Sequence, residues 1–195
     1  FPRLPANNRT MMELLENIPM KVYAISELVG NKDIGIIVLA DQNAARHIAV
    51  ICDKACMQQL KLRLEKNKSC GSMLPETLSR IIDQQYGIDY SLLIDGITNG
   101  TYQARIVGDG LIDDFCLRAT DAVLLHLISK KPLYATAELM NNQSTPLIPG
   151  NPAMALPYNA LSDNMLFDAM KSAVEQEKYE MASSIRDELR KRGKI

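Results

Sequence analysis

The chain has 195 residues, of which 47% are hydrophobic and 23% are charged, a composition typical of a globular protein with a packed core. No apolar run reaches the roughly 18 to 20 residues needed to span a membrane, and no signal-peptide pattern opens the chain, so we expect a cytoplasmic protein without membrane contact. The formal net charge of −1 and the lack of Trp do not support tight non-specific binding of nucleic acid. Binding through a local patch stays open.

The first half of the chain predicts three strands followed by two helices. Residues 1–11 contain two prolines and no periodicity, and we expect them to be vector-derived or disordered. The predicted elements are strands at 20–29, 34–40 and 48–51, a helix capped by Asp53 that runs to Leu64, and a helix that begins at Pro75 and ends before Gly87.

A similar succession is predicted for residues 90–140. Strands at 90–95, 101–107 and 114–117 are followed by helices at 122–129 and 136–140, with Asn99 and Gly100 in a hairpin turn. We therefore predict an α+β fold, in which a duplicated β-β-β-α-α body is followed by a C-terminal α-helical hairpin. The alternative is that two compact halves resemble each other by chance.

A linker and a helical hairpin complete the predicted organisation. Residues 141–161 contain four prolines, which cannot continue a helix, so we expect an extended linker after a domain at 12–140. Residues 162–195 show two amphipathic helices with a balanced charge. Because about 30 residues bury too little apolar surface to be stable alone, we expect this hairpin to dock against a partner.

The second helix of the hairpin carries a specific signature. Tyr179-Glu180, Ala182 and Arg186-Asp187 follow the aromatic-Glu-x-Ala and Arg-Asp pattern, which is similar to the UVR motif. In that family the motif joins the nucleotide-excision subunits UvrB and UvrC and serves elsewhere as a contact element. The partner-binding residues implied by the motif and by helical spacing are Met170, Val174, Tyr179, Glu180, Ala182, Ile185, Arg186, Asp187 and Leu189. A generic solvated helix pair is the alternative.

The body carries a second resemblance. The runs Gly100-Thr101-Tyr102-Gln103-Ala104, Arg118-Ala119-Thr120-Asp121-Ala122 and Pro132-Leu133-Tyr134-Ala135 are similar to the motifs of the bifunctional nuclease family. This resemblance covers residues 20–140 and implies an α+β fold with a duplicated unit, a homodimer, and nuclease activity on DNA and RNA. Members of that family frequently carry a UVR hairpin.

The match departs from the family pattern where chemistry is expected. The family's proline is missing from residues 118–121, its glutamate is missing from residues 51–56, and a motif with histidine reads Pro75-Glu76-Thr77 in this chain. These departures favour a non-catalytic regulatory or adaptor protein, dimeric through its body, that recruits an unknown partner through the hairpin. Family resemblance favours a nuclease.

Hydrolysis of a phosphodiester usually needs a hard divalent cation held by carboxylates. The candidate catalytic residues are therefore Asp113, Asp114, Asp121 and Arg118, with Mg²⁺ or Mn²⁺ held by Asp121 and Asp114 and with phosphate contacted by Arg118. The alternative is structural: Asp121 caps a helix, Arg118 pairs with a carboxylate, and the other two acids lie in a surface turn.

The remaining polar and sulfur-containing residues show no ligand spacing. His47 and His126 are far apart in the sequence, and we expect both to be structural. We expect the four cysteines, Cys52, Cys56, Cys70 and Cys116, to be reduced and to act as small apolar fillers.

Overall fold

A computed structural model describes residues 16–28, 31–85, 87–98, 100–108, 115–147 and 161–195. These residues form a mixed α and β body and a C-terminal pair of helices. The strands are β1 (Ile18–Leu28), β2 (Asn31–Asp41), β3 (Arg46–Asp53), β4 (Tyr90–Thr98), β5 (Thr101–Gly108), β6 (Phe115–Arg118), β7 (Leu133–Ala135) and β8 (Thr145–Pro146). The helices are α1 (Lys54–Leu64), a 3₁₀ helix (Lys68–Ser72), α2 (Leu74–Gln85), α3 (Ala119–Ser129), α4 (Ala137–Gln143), α5 (Asp163–Glu175) and α6 (Tyr179–Lys191). Among the described helices, none has the length and apolar character to cross a membrane.

The strands form one sheet in the order β6-β5-β4-β7-β1-β2-β3-β8. Each group of three sequential strands is an antiparallel meander, and the two meanders run outward in opposite directions from the centre. The short strand β7 joins them, since it pairs antiparallel with β1 and parallel with β4. The sequence predicts no strand at residues 133–135, because a run of three residues is too short to show alternation.

Local sequence explains where the helices begin. Asp53 Oδ1 accepts a hydrogen bond from the Cys56 amide at 2.7 Å, and the side chains of Thr136 and Ser162 accept from Leu139 and Met165 in the same way. These contacts satisfy amide groups that have no partner within the helix. The predicted helix from Asp53 to Leu64 is confirmed at both ends.

The principal core lies between one face of the sheet and the helices α1 and α3. Its fully buried side chains include Ile37 and Leu39 of β2, Leu60 of α1 and Val123 of α3. The alternate residues of β2 are buried on the opposite face beside Leu147. The strand is therefore apolar on both faces, which explains its almost continuous apolar sequence.

The segment that precedes the hairpin differs from its predicted extent. Residues 141–147 were assigned to the linker, but α4 continues to Gln143 and β8 pairs with β3 at Arg46 and His47. Leu147 is buried under the sheet. The remaining part of the predicted linker that falls at residues 148–160 lies outside the described residues, as do residues 1–11.

The helices α5 and α6 share a small core and contact the body. Leu166, Ile185 and Leu189 are each 0% exposed, and Ile51 of β3 packs against the same cluster. Arg192 fastens the end of α6 to the start of α5, since it donates to the Leu161 carbonyl at 2.7 Å and to Asp163 at 3.1 Å. Through Ile51, the hairpin contacts the body of its own chain.

Candidate functional site at three helix starts

A cavity of about 340 Å³ opens where the first residues of α1, α3 and α5 converge. We call it the helix-start cleft. Its walls are formed by the end of β3, the turn into β5 and the three helix starts: Val50, Ile51, Cys52, Asp53, Cys56, Gly100, Thr101, Tyr102, Arg118, Ala119, Thr120, Ser162 and Met165. The cleft therefore lies between the two meanders and the hairpin.

The helix starts bring partial positive charge to a cleft whose charged lining residues are Asp53 and Arg118. The first amide groups of a helix point away from the helix body and carry a partial positive charge. Asp53 and Ser162 already cap α1 and α5. By contrast, the cap position of α3 is Arg118, which makes no side-chain capping bond. The start of α3 is therefore the place in the cleft where an anion would meet uncapped amides beside a guanidinium group.

Arg118 and Asp121 form the ion pair of the structural alternative, but the prediction that Asp121 caps a helix is wrong, because α3 begins at Ala119 and Asp121 lies in its first turn. Arg118 Nε and Nη2 donate to the two carboxylate oxygens of Asp121 at 2.7 and 3.0 Å. This hydrogen bond, with the charge of Asp121, raises the pKa of the Arg118 guanidinium. The pair is substantially exposed, so we expect it to contribute at most about 1 kcal/mol to folding.

The predicted metal site is only partly within the described residues. Asp113 and Asp114 lie outside them. Both oxygens of Asp121 accept hydrogen bonds from Arg118, and no three His, Cys, Asp or Glu side chains converge anywhere in the described part of the chain. The donors that the structure describes therefore do not fit Mg²⁺ or Mn²⁺, which prefer several oxygen ligands.

Two cysteines share one wall of the cleft. Cys52 is the penultimate residue of β3 and is 5% exposed, whereas Cys56 lies in the first turn of α1 and is half-buried. The Cys52 thiol donates a hydrogen bond to Cys56, which lowers the pKa of Cys56; Arg118 acts in the same direction, while burial and two carboxylates oppose it. The same hydrogen bond and burial raise the pKa of Cys52. The exposed Cys116 is therefore not the apolar filler that we predicted, whereas Cys56 is partly buried and packs against the principal core.

Tyr102 contributes a buried hydroxyl to the wall of the cleft. The residue is 2% exposed, and its hydroxyl group has no hydrogen-bond partner among the described residues. Burial raises the pKa of Tyr102 to about 12. Buried hydroxyl groups without a partner are uncommon in native proteins and often mark the position of a water or ligand. No sequence pattern marks this hydroxyl, because Tyr in a strand is ordinarily a packing residue.

The two histidines lie apart from the cleft, as expected of structural residues. His47 is 4% exposed on β3, and its Nε2 is 3.3 Å from the Thr145 hydroxyl of β8. Burial lowers the pKa of His47. His126 Nδ1 is 2.8 Å from the Lys131 carbonyl oxygen, and this contact lies just after the end of α3.

The residues predicted to bind a partner divide into two groups. Ala182, Ile185 and Leu189 are buried, so their burial assigns them to the core of the hairpin itself. Tyr179 and Val174 are 66% and 51% exposed. The second group consists of the predicted partner-binding residues that are fully or partly exposed: Met170, Val174, Tyr179, Glu180, Arg186 and Asp187.

Comparison of the chain with protein-family models gives no matching family, and comparison with curated proteins gives no match. The two resemblances described above therefore rest on the sequence motifs alone.

Proposed function

We propose that the helix-start cleft binds a phosphate group of single-stranded DNA or RNA. The observation that carries this proposal is the uncapped start of α3 with Arg118 beside it. Amide groups at a helix start and a guanidinium group are both well suited to phosphate oxygens. The similarity of residues 100–104 and 118–122 to motifs of bifunctional nucleases supports the choice of nucleic acid, because both motifs line the cleft or its rim.

The net charge of −1 limits how strong this binding is. A single phosphate contact on single-stranded nucleic acid corresponds to a salt slope, d log K/d log[salt], of about −0.7. We therefore expect weak binding with a slope near this value. A protein that covered several phosphates would show a proportionally steeper slope.

Fluorescence anisotropy with labelled single-stranded DNA and RNA tests the proposal. Arg118→Gln should weaken binding about tenfold, because a hydrogen bond to a charged group is worth about 1.5 to 3 kcal/mol and this one is partly exposed to water. Arg80→Gln is the matched control, since Arg80 is an exposed arginine on α2 that bonds to the Gly71 carbonyl away from the cleft. Equal affinities of the two variants would contradict the proposal.

Asp121→Asn separates phosphate binding from metal-assisted hydrolysis. Removal of this charge releases Arg118 and reduces repulsion of an anion, so binding should strengthen. If Asp121 instead holds Mg²⁺ or Mn²⁺ for the nuclease reaction, cleavage of DNA and RNA in either metal should be lost. Equal cleavage by the wild-type and variant preparations would indicate a contaminating nuclease and remove the hydrolytic hypothesis.

A homodimeric adaptor is the second candidate function, and an apolar groove favours it. The groove has a volume of about 610 Å³ and lies between α2, α3 and the edge strand β6. Asp121 is the one charged residue among those that line it. The exposed apolar side chains in or beside it are Leu74, Leu78, Ile81, Ile82 and Phe115.

The size of this surface favours a second copy of the chain as the occupant. The exposed fractions of these five apolar side chains correspond to roughly 500 Å² of accessible surface, if a fully exposed large apolar side chain contributes about 200 Å². A stable interface buries about 800 Å² on each partner. Since an isologous dimer places the same apolar surface on both sides, two such grooves would supply more than half of that interface.

Measurement of solution mass tests the adaptor hypothesis. Phe115→Asp should convert a dimer to a monomer, because it places a charge in the apolar interface. Val174→Asp, at a similarly exposed site on α5, should leave the mass unchanged. A monomeric wild-type protein would contradict the dimer, and dissociation by Val174→Asp alone would place the contact on the hairpin.

The same proposal assigns the chain to the bifunctional nuclease family, with a duplicated body, a UVR hairpin for an unknown partner, and a cytoplasmic location. The outward order of the two meanders and the matching positions of α1 and α3 after β3 and β6 support the duplication. The exposed Tyr179 and Glu180 of the UVR-like signature support a contact role for the hairpin.

A further inference from the structure

We propose that Cys52 and Cys56 are a peroxide-sensitive dithiol, in which Cys56 is oxidised first and Cys52 then closes a disulfide bond. This modification site is independent of whether the cleft binds nucleic acid.

The geometry gives the two thiols different access to a small oxidant. Cys56 is half-buried and Cys52 is 5% exposed, although both line the helix-start cleft. Gly35 leaves room for the Cys52 side chain, since a Cβ atom on this glycine would lie 2.8 Å from Cys52 Sγ and 3.0 Å from Met57. A peroxide that enters the cleft therefore reaches Cys56 more easily than Cys52.

The surroundings of Cys56 favour its reactive thiolate form. Cys56 packs against the core cluster that contains Cys52, and hydrogen bonding by the Cys52 thiol lowers the pKa of Cys56. Cys56 also lies in the first turn of α1, where the helix dipole favours negative charge. The positive charge of Arg118 acts in the same direction, whereas Asp53 and Asp121 oppose it. Low-pKa cysteines with solvent access next to a second cysteine are the ones most readily oxidised to a disulfide.

The reaction balances with hydrogen peroxide as the oxidant. The Cys56 thiolate attacks one peroxide oxygen and the O–O bond breaks, which yields Cys56 sulfenic acid and hydroxide. Cys52 then loses its proton, and its sulfur attacks the Cys56 sulfur. The S–S bond forms and the sulfenic hydroxyl leaves as water. The two thiols are oxidised by two electrons, and one peroxide is reduced.

Peptide mapping of the full-length protein tests this inference. Trypsin cleaves after Lys54, so a disulfide bond would link two separate peptides, residues 47–54 and 55–61. Hydrogen peroxide treatment, followed by blocking of free thiols, should yield this linked pair in the wild-type protein. Reduction before digestion should abolish it.

Three single variants assign the roles. Cys52→Ser should lose the linked pair and accumulate sulfenic and sulfinic acid at Cys56, since no second thiol closes the bond. Cys56→Ser should leave Cys52 reduced. Cys116→Ser, which removes an exposed thiol on β6, should keep the linked pair.

Two results, measured on the folded wild-type protein and on folded Cys56→Ser, would overturn the proposal. One is a wild-type protein in which Cys116 is oxidised but residues 47–54 and 55–61 remain unlinked. The other is equal oxidation of Cys52 in the wild-type protein and in Cys56→Ser, because Cys52 would then react without Cys56.

Discussion

Replacement of Ile185 by alanine should open the C-terminal hairpin locally. Ile185 lies on α6, is 0% exposed and packs with Leu166 and Leu189. The change removes three carbon atoms, each worth about 0.8 kcal/mol when buried. The cavity that remains adds a further cost, so we expect a loss of about 3 kcal/mol, within the range measured for Ile→Ala in cores.

Hydrogen exchange of the α6 amides is the appropriate assay, because it reports the free energy of local opening. Each 1.36 kcal/mol of opening free energy changes the exchange rate about tenfold. The α6 amides of Ile185→Ala should therefore exchange about 100-fold faster than those of the wild-type protein. Met181→Ala is the matched control, since Met181 lies on the same helix and is 42% exposed. Equal acceleration by the two variants would refute the assignment of Ile185 to the hairpin core.

Three further predictions concern the body. Gly100→Ala should destabilise the protein by more than 1 kcal/mol in urea unfolding. Gly100 has a φ of 76°, and an added Cβ would lie 2.5 Å from the Leu161 carbonyl oxygen. An unchanged urea midpoint would contradict this contact. Tyr102→Phe should leave thermal stability unchanged or raise it by about 1 kcal/mol, since the hydroxyl is buried without a partner among the described residues; a clear loss would show that it has one. Burial lowers the pKa of His47, so the unfolded chain binds a proton near pH 6.5 while the folded protein does not. The free energy of unfolding should therefore fall below pH 6.5 by up to about 1.4 kcal/mol per pH unit. His47→Asn should remove that slope, and an equal slope in both proteins would refute it.

The helices and longer strands could be predicted from the sequence because their signals are local. Asp53 accepts its capping bond from a residue three positions away, and the apolar run at residues 34–40 fills both faces of β2. The short strand β7 could not be predicted. Leu133 and Ala135 become strand residues because β1 and β4, which are distant in the sequence, lie on either side of them.

The candidate site was only partly predictable for the same reason. Arg118 and Asp121 are three residues apart, so their pairing could be named in advance. The cleft itself depends on helix starts that are far apart in the chain, and no spacing in the sequence brings Cys56 close to Ser162. The pairing of Cys52 with Cys56 was missed because a separation of four residues across a strand end and a helix start has no fixed geometry until both elements are placed.

In the hairpin, the sequence predicts the two helices but not the surface that covers their apolar faces. Its repeated apolar positions predicted two amphipathic helices, which the structure contains. The same positions were assigned to a partner, yet Ile185 and Leu189 lie in the hairpin core and Ala182 is buried. Periodicity identifies the apolar face of a helix but does not identify which surface covers it.

Backbone amide NMR during titration with a single-stranded dinucleotide is the most direct test of the proposed phosphate site. We expect chemical-shift changes concentrated at Ala119 and Thr120, at the uncapped start of α3, with smaller changes at the starts of α1 and α5. The start of α6 at Tyr179 lies outside the cleft and should not respond. Saturable changes that are absent from α3 but present elsewhere, or no change at any concentration, would contradict the account.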